Sequence, residues 1–153
     1  MPTPAKLISA VLMAVLAWWV ADTVVRELLP EGKTVGRFRE ICAAVGLLAG
    51  WKVLGRAATG KMGRGSPVPV VITSGVATAA VGLILVLLGH SFYVMMMESL
   101  DLAYDAPGKA MTAWMEFLWN DTLLIADKLV LGTLFVGAAI IGMVAGVVGR
   151  TYR

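Results

Sequence analysis

Charged residues divide the chain into long uncharged stretches, and the lengths of those stretches are the first guide to its form. Fifteen uncharged residues separate Lys6 from Asp22, eleven separate Glu40 from Lys52, thirty-three separate Arg64 from Glu98, and twenty-one separate Lys128 from Arg150. A hydrocarbon core of about 30 Å is crossed by roughly 20 helical residues. The first, third and fourth stretches therefore predict membrane-spanning helices unaided. The second spans only by recruiting its flanks, which puts Arg37, Arg39, Glu40 and Lys52 in the interfaces with their side chains reaching outward. A re-entrant or interfacial helix is the competing reading there. The pattern predicts helices over residues 5–25, 36–54, 67–104 and 107–149.

The third helix is longer than a bilayer needs. Val68 to Met97, at about 1.5 Å per residue, makes a rod of roughly 45 Å, so its last turns emerge near Gly89. Tyr104-Asp105-Ala106-Pro107-Gly108 reads as a turn, with Pro107 opening the next helix. Beyond it Lys109, Thr112, Glu116 and Asn120 recur at helical spacing, while Ala110, Met111, Trp114, Phe117 and Leu118 cover the other side. This amphipathic lead-in runs to about residue 121 and then joins the fourth span. The expected fold is all-α: a four-helix transmembrane bundle in one domain, with a periplasmic helical hairpin between the third and fourth helices. Ser66 is placed to cap the third helix, with Pro67 and Pro69 in its first turn.

Composition sharpens the membrane reading. Of 153 residues, 59% are hydrophobic and 15% charged, against about 25% charged in soluble domains. A small globule cannot bury such a surplus, whereas lipid can take it. The first apolar run passes Trp18 and Trp19 without a clear small-x-small cleavage site, so it reads as a retained anchor. With both termini cytoplasmic, Lys6, Lys52, Arg56, Lys61, Arg64, Arg150 and Arg153 lie inside, giving +7 and no acid. Outside, six bases meet all ten acids, giving −4, and the two faces sum to the formal charge of +3. The dense inner bases favour this orientation in a bacterial inner membrane. The Gly-rich basic link from Arg56 to Ser66 serves as a stop-transfer signal and also suits anionic lipid head groups.

Lipid tails are as apolar as leucine, so helix association depends on close backbone approach. Each span carries a stripe of small residues: Ala10, Ala14, Ala17 and Ala21; Ala43, Gly46 and Gly50; Gly75, Ala79, Gly82 and Gly89; Ala138, Gly142 and Gly146. These pack the bundle, or face a membrane-protein partner or a second copy of the chain. The bilayer is the first partner implied, and no nucleic acid is.

Few residues suggest chemistry. His90, Met97 and Asp101 share a helical face, and imidazole with thioether suits a soft ion such as Cu(I). Consecutive methionines diverge, however, and fill gaps between helices, while His90 serves equally as an interfacial hydrogen-bonder. Arg37 and Arg39 form a candidate oxyanion contact, against the plainer reading that they anchor the helix and pair with acids. Asp22 and Arg26, four apart, predict a surface ion pair. Cys42 is the one cysteine, in an apolar stretch where it reads as a packing residue. No ionisable group lies at the middle of a span, where proton and ion pathways need one. No phosphate-binding glycine loop, metalloprotease motif or nucleophile–base pair occurs. The reading is of a non-enzymatic protein without metal or cofactor.

A set of landmarks carries a resemblance. Met1-Pro2-Thr3 with Ala5-Lys6-Leu7 opens the chain, followed by Leu29-Pro30-Glu31-Gly32 with Gly36, Phe38, Arg39 and Glu40. Gly46, Gly50-Trp51 and Gly55 come next, then Tyr104-Asp105 and Pro107. In order and spacing these resemble the TrgA family of bacterial tellurium-resistance membrane proteins. The resemblance implies a tellurite-resistance phenotype and brings no catalytic residue with it. Tellurite reacts with thiols, and a single buried Cys42 argues against detoxification by this chain itself. The expected function is that of a multi-pass membrane protein acting through a partner or on envelope handling of oxyanions. The alternatives are an accessory or assembly subunit of a respiratory or photosynthetic complex and, more weakly, a small oxyanion transporter or channel.

Overall fold

The computed structural model describes residues 3–28, 36–60, 66–101 and 104–151, and among these it contains helices and no strand. Helix α1 is Pro4–Thr23, and it continues through a wider π-type turn, Val24–Leu28. Helix α2 is Phe38–Ala49, which runs through a second π-type turn, Gly50–Leu54, into the short α3, Gly55–Thr59. Then come α4 (Val68–Leu100), α5 (Pro107–Ile125) and α6 (Lys128–Thr151).

Four helical stretches are long and apolar enough to cross a membrane: Pro4–Glu27, Phe38–Thr59, Val68–Leu100 and Lys128–Thr151. Phe38–Thr59 is the least apolar, with mean hydropathy 1.4 against 2.0–2.4 for the others. Between 28% and 39% of each apolar window is buried within the protein, which leaves an apolar outer surface suited to a bilayer. The fold is a four-helix bundle of a multi-pass membrane protein.

The helices form a ring in the order α1, α2, α4, α6, each antiparallel to its neighbours, and two seams are tight. Along α1–α2, a Cβ on Gly46 would stand 2.6 Å from the Met13 carbonyl oxygen, and one on Gly50 would stand 2.6 Å from that of Ser9. Further down, the Lys6 stem lies against Gly55, where a Cβ would meet Cγ at 2.9 Å. Along α4–α6, a Cβ on Gly142 would stand 2.7 Å from the Val71 carbonyl oxygen and 2.9 Å from Ile72 Cα. Gly75 faces Ala138 and Gly142 across the same seam, Gly146 faces Val71, and Gly149 faces Ala58. Only glycine lets the backbones come this close, and dispersion between them replaces a hydrophobic driving force that lipid does not supply.

Polar side chains inside the spans are satisfied locally. Ser9, Thr78 and Ser91 are fully buried, and each donates to the carbonyl four residues back, at 2.6, 2.6 and 2.8 Å. These three hydroxyls are thereby spared the cost of facing hydrocarbon, several kcal/mol for each orphan.

Several boundaries differ from the sequence-based expectation. The second span runs to Thr59 rather than 54, because the π-type turn carries it past Lys52. The third helix ends at Leu100 rather than 104, with Asp101 as its cap. Residues 107–149 do not form one helix: α5 stops at Ile125 and α6 starts at Lys128. Asp127 makes the break, since its Oδ1 accepts the Leu129 N–H at 2.7 Å and its carbonyl accepts from Leu131, as an N-cap does. Ser66 does not cap α4 with its side chain. Pro67 occupies that place, and its carbonyl takes the Val70 and Val71 N–H groups.

Candidate functional site

The end of the bundle where α1 finishes and α2 begins gathers most of the chain's engaged polar groups. Phe38, on the first turn of α2, meets the His90 ring edge-on at 5.4 Å between centroids and 74° between planes. This contact fixes His90 at the level where α2 starts, so α4 continues ten residues beyond it. His90 Nδ1 lies 2.8 Å from Asp121 Oδ2. A carboxylate only accepts, so this hydrogen bond requires the proton on Nδ1. Ser91 Oγ stands 2.8 Å from the same Asp121 oxygen and 2.8 Å from the Leu87 carbonyl, which share its single proton. Asp121 thus ties α5 back to α4 just above the bundle.

A second group lies on the α1–α2 side. Arg26 Nε pairs with Asp22 Oδ2 at 2.8 Å, the i,i+4 pair expected from the sequence. Arg39 Nη1 stands 3.0 Å from Asp22 Oδ1, near enough to pair in charge though off the hydrogen-bonding direction. Arg39 is therefore engaged across the seam, whereas Arg37 is exposed and enters no ion pair among the described residues. The two guanidinium groups are not brought together on one acceptor. Glu31 and Lys33 lie outside the described residues, as do Lys61, Arg64 and Arg153.

The helix-packing residues divide by height. Ala10, Gly46, Gly50, Gly75, Ala79, Ala138, Gly142 and Gly146 are buried between helices, and Ala14 is half-buried. Gly82 and Gly89, in the same stripe of α4, have nothing within 4 Å of a would-be Cβ. Gly82 instead lines a half-open apolar groove of about 60 Å³ that Met13, Phe38, Cys42, Gly46 and Thr78 also bound. Cys42 is buried in its wall.

Above the bundle, α4 and α5 form the expected helical hairpin. Phe92 and Trp114 pack edge-to-face at 5.8 Å, and Trp114 Nε1 is buried without an acceptor among the described residues. Near the turn, Tyr104 donates to Glu98 Oε2 at 2.5 Å, and Lys109 pairs with Asp105. That hydrogen bond, with some desolvation and the charges of Glu98 and Glu116, pushes the Tyr104 phenol up to about 12. Helix α5 packs on α4 and on little else. Met111, Met115, Trp119 and Leu123, spaced four apart, are 57%, 56%, 65% and 57% exposed and make one apolar stripe along it. His90, Met97 and Asp101 do not converge on a common centre: His90 turns to Asp121 while Met97 and Asp101 are exposed. Among the described residues no three His, Cys, Asp or Glu side chains are grouped for a metal.

Sequence reading missed Asp121 as the partner of His90. The available signal was a lone acid just before the apolar end of α5, Leu123-Leu124-Ile125, a place that needs a partner. No family model matches the chain, and neither a curated protein nor a solved structure is detectably similar to it.

Proposed function

We propose that this chain is a non-enzymatic, multi-pass protein of the bacterial inner membrane that works by holding a membrane partner through the α4–α5 hairpin. The observation that carries this reading is the stripe Met111, Met115, Trp119 and Leu123. It is apolar and more than half exposed, and it lies on a helix supported from one side only. Ser91 to Leu100 lift the hairpin about 15 Å beyond His90 at 1.5 Å per residue. Much of the stripe is thus carried past the hydrocarbon, where an unpaired apolar face marks an interaction site. Aromatic and methionine side chains are the types enriched at such contacts.

Tellurite tolerance is the cellular setting implied by the TrgA resemblance, and that part of the reading rests on the residues quoted for it. The same stripe serves an accessory or assembly subunit of a larger respiratory or photosynthetic complex, a reading that differs in stoichiometry. Oxyanion transport has less support, because Asp22 already engages Arg39. The charge distribution supports cytoplasmic termini and, with them, a periplasmic hairpin.

Purification of the intact protein from its native membrane in a mild detergent tests the partner. A stoichiometric companion is expected, lost on Met115→Glu with Trp119→Glu while the four spans stay helical. Recovery of the chain alone from both backgrounds would remove the reading. Unchanged tellurite tolerance on deletion would remove the phenotype and leave the partner reading standing.

A further inference from the structure

The opposite end of the bundle has a different electrostatic character. Lys6, Lys52, Arg56 and Arg150 gather where α1 begins and α6 finishes, and no Asp or Glu among the described residues lies at that end. None of the four takes part in a salt bridge among the described residues. Four cations close together repel one another, and at the rim of a bilayer low-dielectric hydrocarbon strengthens that repulsion.

Within this field the chain forms a notch. Lys6, Arg56, Thr59, Gly60 and Ser66 line a depression of about 380 Å³. Its walls are set by packing. The Lys6 stem runs over Gly55, which has no side chain to block it, and Lys6 and the next residue, Arg56, both line the depression. Thr59 Oγ1 is held by the Gly55 carbonyl at 2.7 Å and lies 3.3 Å from Thr3 Oγ1. Gly60, at φ +68°, turns the chain away from α3. On the far rim, Arg150 Nε reaches the Ser66 carbonyl at 3.4 Å.

We propose that this notch is a binding site for a phosphate-class oxyanion, supplied either as the phosphodiester of an anionic lipid head group or as free inorganic phosphate. An ammonium and a guanidinium offer a point charge and a planar fork to the same anion, the pairing that suits tetrahedral oxyanions. The Ser66 hydroxyl is the donor offered to a further oxygen, since Thr59 already gives its proton to the Gly55 carbonyl. The volume exceeds that of a bare phosphate and takes a glycerol ester as well. Its height matches the head-group layer, where basic pockets between spans hold anionic lipids. The inference is independent of the hairpin's partner.

The test uses the full chain in a neutral maltoside detergent. Native mass spectrometry follows retained phosphatidylglycerol against phosphatidylcholine, and a parallel arm measures binding of radiolabelled inorganic phosphate. Lys6→Gln with Arg56→Gln is expected to weaken the bound anion roughly thirty-fold. Lys52→Gln with Lys128→Gln, which removes the same charge outside the notch, is expected to change it less than about two-fold. Retention of phosphatidylglycerol alone assigns the lipid source, and saturable phosphate binding assigns the free ion. Equal loss in both double variants, equal retention of phosphatidylcholine, or no anion bound in either arm overturns the proposal. If the notch pair loses helicity by circular dichroism, Arg56→Gln alone, at an exposed position, carries the same comparison.

Discussion

The lower and upper halves of α4 are built from the same residue types and behave differently. Around Gly75 and Ala79 the helix is pressed against α6, with backbone atoms of Ala138 and Gly142 where a side chain would otherwise stand. Around Gly82 and Gly89 open space surrounds the same kind of residue. Glycine in the lower half permits contact. In the upper half it leaves the surface smooth and the helix slightly weaker, since an interior glycine costs up to about 1 kcal/mol relative to alanine. A small-residue stripe is thus a seam only where the facing helix also presents small residues at the same height.

The largest effect should come from the tight half. Gly142→Ala forces a methyl group onto the Val71 carbonyl and Ile72 Cα, both backbone atoms that cannot swing aside. A loss of about 2–3 kcal/mol is expected, read as a lowered midpoint in detergent-monitored thermal unfolding. An unchanged midpoint would show that the α4–α6 seam is looser than described. Next in size is Asp121→Ala, which strips His90 and Ser91 of their shared acceptor. It should cost about 1–2 kcal/mol and speed amide exchange in α5 while sparing α1 and α2. Smallest and opposite in sign is Gly89→Ala, expected to stabilise by at most about 1 kcal/mol. Any destabilisation there would mean that the upper half of α4 meets a neighbour that the isolated chain lacks.

A last prediction concerns the turn above the upper half. The phenol of Tyr104 is raised to about 12 by its bond to Glu98, so folding favours the protonated form. The contribution is complete below the unfolded value near 10 and fades as pH climbs through about 12. Ultraviolet titration should show one tyrosine transition that vanishes in Tyr104→Phe and moves down towards 10 in Glu98→Gln.

Much of the fold was legible because charge gaps report where a chain can meet hydrocarbon. The great length of α4 and the new helix at Pro107 were readable from an uncharged stretch of thirty-three residues and from a residue that cannot continue a preceding helix. What stayed hidden depended on pairing in space. His90 and Asp121 stand 31 residues apart, and no local period connects them. Gly75 and Gly82 share one spacing rule, and only the α6 backbone standing at the height of Gly75 separates their roles. Asp127 was readable as an N-cap before an apolar run, yet the expected helix over residues 107–149 ran straight across it.

Helix α4 has no break from Val68 to Leu100, and its closest grip on a neighbour lies at Gly75, much nearer one end. Seven residues lie on the short side of that contact and twenty-five on the long side, or about 10 Å against about 38 Å at 1.5 Å per residue. The helix is an unequal lever. A rigid tilt about Gly75 moves Leu100 between three and four times as far as Val68, by this estimate, so a small adjustment at the basic rim becomes a visible swing of the hairpin tip.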